Sequence, residues 1–485
     1  METVKKNAQP ASRLRLWFIL AVVMASAATV AWWWHGYRQA SLIQKSLPAR
    51  PDLASLIAEL RGRLLEANEY AAHGPRQVAA LGELACLYHA NGYIHEALTC
   101  YKTLEQVDPK NSRWKYRHAL IISGFGEFGQ AVTLLRETIE RDPNYLPARL
   151  RLGEILLKDN QLKEAAAVYE GIQAREPGEP YSMLGLARCD MDQELWSTAC
   201  QKLEKVVAAT DYALGYDLIV PVYEHLGLND RAAAIRGRMK AWGAFRDMAD
   251  PWMEELNADC YDAYQLSVAA GAFKVRGEKE GARTLLERAV RFAPKNAALH
   301  FQFALLLIDF SEYAQAKREL ELCTQLQPTF ADGWIYLSGV LSTMGDAARS
   351  QQIFMQGLAN CPESPSLHRM YAKQLQVQGR LDDAIHQFRE SIRLRPTEAD
   401  PYIELGIALF TAERNEEGLK EFAHALEAEP ENPMVLCAMA FHEISAKNET
   451  AARQWMQRVR NQPRVLTDDI QRLTTSYKET FGRAP

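Results

Sequence analysis

The sequence lacks an excess of charge of either sign. Its 485 residues include 56 lysines and arginines and 61 aspartates and glutamates, which gives a formal net charge of −5. Proteins that bind nucleic acid usually carry a basic patch or a basic overall charge. This balance gives no reason to expect a polyanion as the partner, and we expect no binding to nucleic acid.

The sequence also lacks the residue spacings of common catalytic and metal sites. None of the eleven histidines lies in an H-E-x-x-H motif, and no G-x-S-x-G motif occurs. Residues 124–129 fit G-x-G-x-x-G, but a dinucleotide site needs a strand before the glycines and a helix after them. A turn between two helices is predicted there instead. We therefore expect no catalytic residue, no metal, no cofactor and no small-molecule substrate.

Cysteines are few, and their spacing pairs none of them. The eight cysteines are spread thinly along the chain and never form a C-x-x-C motif. An oxidising compartment favours paired cysteines, whereas a reducing one tolerates scattered buried thiols. We interpret the cysteines as small core residues, with a disulfide framework as the alternative.

One long run of the sequence has no charged residue. Residues 16–34 are apolar or small and end in Trp32, Trp33 and Trp34. A helix of this length just crosses a bilayer, and tryptophan is typical of the membrane interface. The run predicts a transmembrane helix or an uncleaved signal anchor. The alternative is a signal peptide cleaved near Ala27, where small residues offer a cleavage site.

The basic residues around this run predict its orientation. Four lysines and arginines precede the run, and three follow it within a comparable distance. The positive-inside rule then favours a single-pass protein whose main part lies on the extracytoplasmic, periplasmic side. A part facing the cytoplasm, or a protein secreted after cleavage, remains as an alternative.

A period of 34 residues recurs over most of the remaining chain. Small residues follow this period in two series: Ala97, Ala131, Ala165 and Ala199, and later Ala282, Ala316, Ser350, Ala384, Gly418 and Ala452. Prolines follow in step, from Pro109 to Pro177 and from Pro294 to Pro430. A period in this range indicates a stacked array of repeats.

The residue types within a unit predict two helices. One unit reads Arg149-x-x-Leu152-Gly153-x-x-Leu156, followed by Ala165, Tyr169 and Pro177. Apolar residues at spacings of three and four form one helical face, and a central glycine or polar turn separates two helices. Small residues, such as Gly153 with Ala165 and Gly406 with Gly418, are expected where the two helices approach closely.

In these residues the chain resembles the tetratricopeptide repeat (TPR) family, over about residues 78–460. The resemblance implies an all-α fold, a right-handed α-solenoid of helix-turn-helix repeats, here preceded by the single transmembrane helix. The predicted segments are a short basic tail (1–15), the membrane helix (16–34), a linker (35–51), an N-terminal capping helix (52–74), a first block of about five repeats whose fifth is degenerate (78–242), an insertion (243–262), a second block of about six repeats (263–462) and a C-terminal capping helix with tail (463–485).

The resemblance also implies a partner-binding groove. In the family the first helix of each repeat lines a concave face, and its second, fifth, ninth, twelfth and thirteenth residues usually meet a protein or peptide ligand. The matching candidates here are Arg113, Tyr116, Tyr181, Arg188, Tyr264, Lys274, Phe301, Arg369, Lys373 and Ile403. Basic and acidic residues nearly balance over the groove positions, so the groove as a whole has no clear net charge. Trp252 in the insertion is predicted to pack on neighbouring repeats as a plug, with a ligand contact as the alternative.

These features predict a membrane-tethered scaffold or adaptor rather than an enzyme. The array would bind protein or peptide partners in its groove, for assembly of an envelope or membrane complex. The alternative is a regulatory or substrate-presenting subunit of a membrane-associated enzyme complex. A third hypothesis, weaker than both, is an enzyme with an unfamiliar site near Trp252.

Overall fold

The computed structural model describes residues 11–54, 56–210, 212–239, 248–461 and 467–485. Every regular element in these residues is a helix, and no strand occurs among them. The helices form two compact units, Met1–Phe292 and Ala293–Pro485, called unit 1 and unit 2 below. The all-α fold predicted from the repeat period is confirmed for the described residues.

Unit 1 begins with one long helix and continues as helix pairs. Its helices are α1 (Ala11–Ser46), α2 (Ala58–His73), α3 (Gln77–Ala90), α4 (Ile94–Val107), α5 (Ser112–Gly124), α6 (Phe128–Arg141), α7 (Leu146–Lys158), α8 (Leu162–Arg175), α9 (Pro180–Asp192), α10 (Trp196–Ala209), α11 (Ala213–His225), α12 (Asn229–Met239), α13 (Pro251–Glu254), a 3-10 helix (Glu255–Asp259), α14 (Ala263–Val275) and α15 (Lys279–Phe292). The first repeat after the predicted insertion, α14 and α15, therefore belongs to unit 1.

Unit 2 consists of helix pairs closed by a final helix. Its helices are α16 (Ala297–Asp309), α17 (Tyr313–Leu326), α18 (Ala331–Thr343), α19 (Ala347–Asn360), α20 (Pro365–Val377), α21 (Leu381–Leu394), α22 (Ala399–Thr411), α23 (Asn415–Ala428), α24 (Pro433–Ser445), α25 (Glu449–Arg460) and α26 (Thr467–Phe481). Helix α26 coincides with the predicted C-terminal cap, and it buries Leu473 and Tyr477 in the last apolar cluster.

A residue in the left-handed backbone region lies at the turn within the helix pairs, and it recurs every 34 residues from Gly92 to Glu194 and from Gly277 to Lys447. Gly92 and Gly126 hold this position with φ of 82° and 84°, a region that glycine enters at no steric cost. The same position is held by Asn160, Glu194, Ser311, Glu413 and Lys447, with φ between 57° and 61°. The repeat period is thus a period of backbone conformation, which the array imposes even where the residue has a side chain.

Glycines allow close contacts within the repeats, though not all in the predicted way. A Cβ added at Gly406 would lie 3.2 Å from the Gly418 carbonyl oxygen, which confirms the predicted close approach of α22 and α23. At Gly153 the partner is different from the predicted Ala165. A Cβ there would lie 2.5 Å from Cζ of Tyr169, so the space left by this glycine holds an aromatic ring.

The N-terminal segments differ from the prediction. Residues 35–46, predicted as part of a linker, continue helix α1 to Ser46. Apolar burial explains the difference, because Ile43 is fully buried in the cluster formed with α2, α3 and α4. Gln39 Nε2 also donates to the Val107 carbonyl at 2.8 Å. This end of α1 is therefore part of the first repeat's packing.

The capping helix also begins later than predicted. The expected start was Asp52, but α2 begins at Ala58. The Asp52 carboxylate accepts from the Ala54 amide at 2.9 Å, a local turn that competes with helix formation. Leu53 and Leu56 instead pack against the apolar cluster from outside a helix.

The degenerate fifth repeat is present as α11 and α12. Helix α11 runs through Pro221, which removes one backbone donor inside the helix. Helix α12 ends at Met239, and the predicted end of the first block at 242 lies outside the described residues, as do residues 243–247 of the predicted insertion. The rest of that insertion, residues 248–262, is called the strap below.

Among the residues that the structure describes, no helix combines the length and hydropathy needed to cross a membrane. The structure therefore does not support the predicted span of residues 16–34. Helix α1 includes this stretch, but most of the side chains of residues 11–31 lie outside the description.

All eight cysteines are free thiols, and each is buried or half-buried. Burial raises the pKa of Cys86 and of Cys323 to about 11. Neutral, shielded thiols of this kind pack as small apolar side chains, as predicted for the core of the repeats.

Candidate functional site

The first helices of the unit 2 repeats form an apolar pocket of about 540 Å³. Helices α18 and α20 supply most of its wall. Its apolar lining consists of Ile308, Tyr313, Ile335, Tyr336, Val340 and Met370. The pocket includes second, fifth, ninth and thirteenth residues of α18, which are the positions that the TPR resemblance places in the groove. An open apolar hollow with a few polar groups suits a bulky side chain of a partner.

A second pocket of unit 2, about 370 Å³, is formed by α20, α22 and the start of α24. Val377, Ile407 and Met434 line it, and Val377 is 90 % exposed. Several large apolar side chains exposed around one pocket form a contiguous apolar patch, and such patches mark binding surfaces. The two pockets together define the unit 2 groove.

Carboxylates dominate the polar rim of the unit 2 groove. Four carboxylates line its two pockets against two cations: Asp332, Glu398, Asp400 and Glu404 against Arg369 and Lys373. Both cations pair with groove carboxylates, and Glu398 pairs with Arg395 at 2.7 Å. Arg369 Nε lies 2.7 Å from Glu404 and its Nη2 lies 2.9 Å from Asp400, while Lys373 Nζ lies 3.1 Å from Glu404.

The predicted groove residues of unit 2 therefore have different roles. Arg369 and Lys373 line the pockets as members of this ion-pair cluster, and Ile403 is buried at the base of the second pocket. Phe301 packs edge-on against Phe330 and Tyr336, with ring centroids 5.0 and 5.3 Å apart. Phe301 thus supports the pocket wall through Tyr336.

In unit 1 the predicted groove residues Arg113 and Tyr116 are covered by the strap. Tyr116 is fully buried, and its hydroxyl donates to Asp250 Oδ2 at 2.5 Å. Arg113 Nε lies 3.2 Å from Glu255 Oε2, and its guanidinium lies 5.6 Å from the Trp252 ring centroid. These two positions face the groove as predicted, but the chain itself occupies it.

Trp252 packs on aromatic residues of the array. Its ring stacks on Tyr145 with centroids 3.6 Å apart and planes at 12°, and it meets Tyr116 edge-on at 5.5 Å. These are the contacts that the predicted plug would make. The ring is still only half-buried, so one part of it remains open to solvent.

The other unit 1 candidates are spread along the array. Tyr181 and Arg188 line a pocket of about 250 Å³ beside Met248 of the strap, and Tyr181 stacks on Tyr212 at 5.1 Å. Tyr264 and Lys274 lie on α14, and Tyr264 is 76 % exposed. The structure does not bring these residues together into one site.

Sequence reasoning missed the sixth residue of the first helix. Tyr336, Met370 and Glu404 hold this position in α18, α20 and α22, and all three line the unit 2 groove. They stand 34 residues apart, so the period itself was a signal that could have found them. The sixth residue lies on the same helical face as the second and ninth, because four residues make about one turn.

Two stretches of the chain match protein-family models. Residues 68–169 match the family of surface lipoprotein assembly modifiers with N-terminal TPR repeats. Residues 369–433 match a tetratricopeptide repeat family. These matches support the TPR resemblance, one in each unit, and with the helix pairs of the described residues they define the molecule as a TPR-like solenoid.

Curated relatives are distant. Cellulose synthase operon protein C of Pseudomonas fluorescens is 23 % identical over 412 residues, which cover 79 % of this chain and 31 % of that protein. DnaJ homolog subfamily C member 3 of Rattus norvegicus is 22 % identical over 49 % of this chain and 40 % of its own length. The chain thus spans less than half the length of either relative.

Solved structures with a similar arrangement cover part of the chain. PilF of Pseudomonas aeruginosa is 15 % identical, with a TM-score of 0.37 over 44 % of this chain and 96 % of its own. YrrB, a TPR protein with an unusual peptide-binding site, is 18 % identical, with a TM-score of 0.31 over 39 % of this chain and 98 % of its own.

Proposed function

We propose that this chain is a non-catalytic scaffold that binds segments of partner proteins in the unit 2 groove. The observation that carries the proposal is the pairing of an exposed apolar pocket of about 540 Å³ with a rim on which carboxylates outnumber cations. Such a groove suits a segment with bulky apolar side chains and flanking lysine or arginine. Its two cations pair with Asp400 and Glu404, and Arg395 pairs with Glu398, so the four rim carboxylates still exceed these three cations.

The scaffold would act at a membrane. Residues 16–34 form an uncharged run with basic residues before it, which supports a tether in the membrane and an array on the extracytoplasmic side. The role would be assembly of an envelope or membrane complex. Partner recruitment at a membrane gains from tethering, because tethering raises the effective concentration of the array.

Site-specific crosslinking tests the groove. A photo-crosslinking phenylalanine derivative at Tyr336, in the pocket, should capture partner segments in native membranes. The matched control is Met355, which is 57 % exposed on the second helix α19 and lines neither pocket. Captured segments should contain bulky apolar and basic residues. Equal capture at both positions, or capture of acidic segments only, would contradict the proposal.

The tether has its own tests. After carbonate washing of membranes, the full-length chain should remain in the pellet, because an inserted helix resists extraction. A released chain that lacks about 27 residues would instead establish signal cleavage near Ala27. Protease added to intact spheroplasts should digest an extracytoplasmic array, and full protection would reverse the orientation.

A second candidate function is a regulatory or substrate-presenting subunit of a membrane-associated enzyme complex. The likeness to cellulose synthase operon protein C over 79 % of this chain favours it. Under this proposal, an enzyme should co-purify with the chain from membranes, and its turnover should fall when Tyr336→Ala disrupts the groove. A co-purified enzyme whose turnover is unchanged would leave the scaffold as the better proposal.

A further inference from the structure

The strap lies in the predicted groove of unit 1 in the manner of a bound peptide. Its first anchor is Asp250, a carboxylate that is only 5 % exposed. Tyr116 and Tyr145 donate their hydroxyls to its two oxygens at 2.5 and 2.6 Å. Burial and the neighbouring carboxylate raise the pKa of both tyrosines, so both remain donors. The array thus supplies a specific carboxylate-binding pair.

Its second anchor is the aromatic ring of Trp252. The ring stacks on Tyr145 at 3.6 Å, and the Trp252 amide donates to the Tyr145 hydroxyl at 2.9 Å. Arg113 approaches the ring at 5.6 Å from its centroid, within the range of a cation–π contact. Tyr145 therefore contacts the carboxylate of Asp250 and both the backbone and the ring of Trp252.

The third anchor is Arg117, whose guanidinium is 1 % exposed. Its Nε donates to the Trp252 carbonyl at 3.1 Å, and its Nη2 donates to Glu255 Oε2 at 2.9 Å. A buried guanidinium without acceptors is costly. Within the array Arg117 meets Cys86 Sγ and the Tyr101 hydroxyl, and the strap supplies its carbonyl and carboxylate acceptors.

The far end of the strap is held through its backbone. The Asn91 side chain donates to the Asp259 carbonyl and accepts from the Tyr261 amide, both at 2.8 Å. A side-chain amide that bonds both backbone groups of an extended segment is a common way to hold a peptide of variable sequence. This contact carries affinity without demanding a particular side chain.

We propose that the unit 1 groove is a binding site for acidic segments of partner proteins that carry an aspartate two residues before a tryptophan, and that the strap is its displaceable internal occupant. Charge complementarity favours an acidic segment, because Arg113 and Arg117 both pair with the strap carboxylate of Glu255. The chemistry is opposite to that of the unit 2 groove, so this inference stands independently of the function proposed above.

The energetics suit displacement rather than permanent closure. Residues 250–255 of the strap are held by hydrogen bonds and by ion pairs to Glu255, which is exposed, whereas Leu256, Cys260 and Tyr261 are buried and hold its other end. Ion pairs to an exposed carboxylate contribute little net stability. The aromatic anchor of the strap is half-buried. A partner segment can therefore replace the contacts of residues 250–255 one for one, while the buried residues at the other end keep the strap attached to the array.

A peptide-binding experiment in trans tests the proposal. The probe is a fluorescent synthetic peptide with the sequence of residues 248–262, and the host is the full-length chain in detergent. Trp252→Ala should weaken the internal strap and increase peptide affinity about tenfold or more over the wild type, because the tethered strap competes at high effective concentration. Anisotropy measures binding. The same peptide with alanine in place of its tryptophan should bind far more weakly.

Two further variants separate a ligand site from a structural plug. Trp196→Ala removes another unit 1 tryptophan, which stacks on His225 away from the strap, and it should leave peptide binding at the wild-type level. Asp250→Asn is a second opening variant that keeps the shape of the side chain. The proposal is overturned if either opening variant stays folded by circular dichroism and gains no binding. It is also overturned if both unfold, or if the wild type binds equally well.

Discussion

A single added methyl group should have opposite effects at two glycines of neighbouring helices. Gly153 in α7 lies against the ring of Tyr169, and a Cβ there would lie 2.5 Å from Cζ of that ring. Gly171 in α8 has open space around the same position. Gly153→Ala and Gly171→Ala are therefore a matched pair that differs only in what the methyl group meets.

The structure sets the size of the difference. An ordinary carbon contact begins at 3.4 Å, so the ring would have to retreat by about 1 Å. Tyr169 is 4 % exposed, and Gly185 contacts its ring as well, so the ring has no space to move into. Overpacking of this kind costs about 1–3 kcal/mol. Alanine gains about 1 kcal/mol over glycine in either helix, and this gain cancels in the comparison.

Hydrogen exchange of the α7–α9 amides is the appropriate assay, because repeat arrays open locally rather than all at once. Gly171→Ala should increase protection by about 1 kcal/mol. The protection free energy of Gly153→Ala should be about 1–3 kcal/mol lower than that of Gly171→Ala. Adding Tyr169→Leu to Gly153→Ala should recover most of the loss. Equal protection in the two single variants would refute the account of tight packing around Tyr169.

Further predictions concern protonation and the turns. Burial, with the charge of Arg117, lowers the pKa of His89 to about 4. Because the unfolded histidine takes up its proton near pH 6.5, acidification from that pH to 4 should lower the stability of unit 1 by roughly 3 kcal/mol. Urea titrations should show that His89→Gln removes this pH dependence. In unit 2 the hydrogen bond to Glu319 raises the pKa of His300. The resulting stabilisation of the folded unit is complete below about pH 6.5 and is lost as the pH rises through the raised pKa. This pH dependence should be absent in Glu319→Gln. Ser311→Gly should stabilise unit 2 by about 1 kcal/mol because φ at Ser311 is 61°, whereas Gly345→Ser at the equivalent turn should destabilise it in the same melting assay.

The repeat period could be predicted from sequence because each helix pair buries the same residue types at the same spacing. The period of the backbone conformation extends to turns whose residue types do not suggest it. Glu194 and Lys447 differ from glycine in every property, yet they take the same left-handed turn as Gly92. The packing of adjacent helices fixes this conformation, and a side chain that tolerates it poorly does not change the result. Sequence therefore located the turns, but composition alone would have missed those without glycine.

The position of the strap in the unit 1 groove could not be predicted, because no local sequence pattern links the strap residues to the residues that they contact. Asp250 and Tyr116 are 134 residues apart, and Arg117 lies 135 residues from the carbonyl of Trp252 that it binds. Each contact depends on the array first bringing α5 and α7 into place. Arg117 is one of several charged residues of α5, so the sequence does not single it out as a buried cation or identify which segment supplies its acceptors.

Summing charge over all predicted groove positions concealed the chemistry of each groove. The sequence-wide balance is near neutral, whereas the described residues separate the signs. In unit 1, Arg113 and Arg117 face the acidic strap. In unit 2, Glu398 and Glu404 add to the acidic rim, and neither was among the predicted positions. Since a partner senses the local field within about one Debye length of roughly 8 Å rather than the average, two grooves of opposite character follow from one balanced sequence. The two proposals together predict that the chain holds a basic segment in unit 2 and, once the strap is displaced, an acidic segment in unit 1.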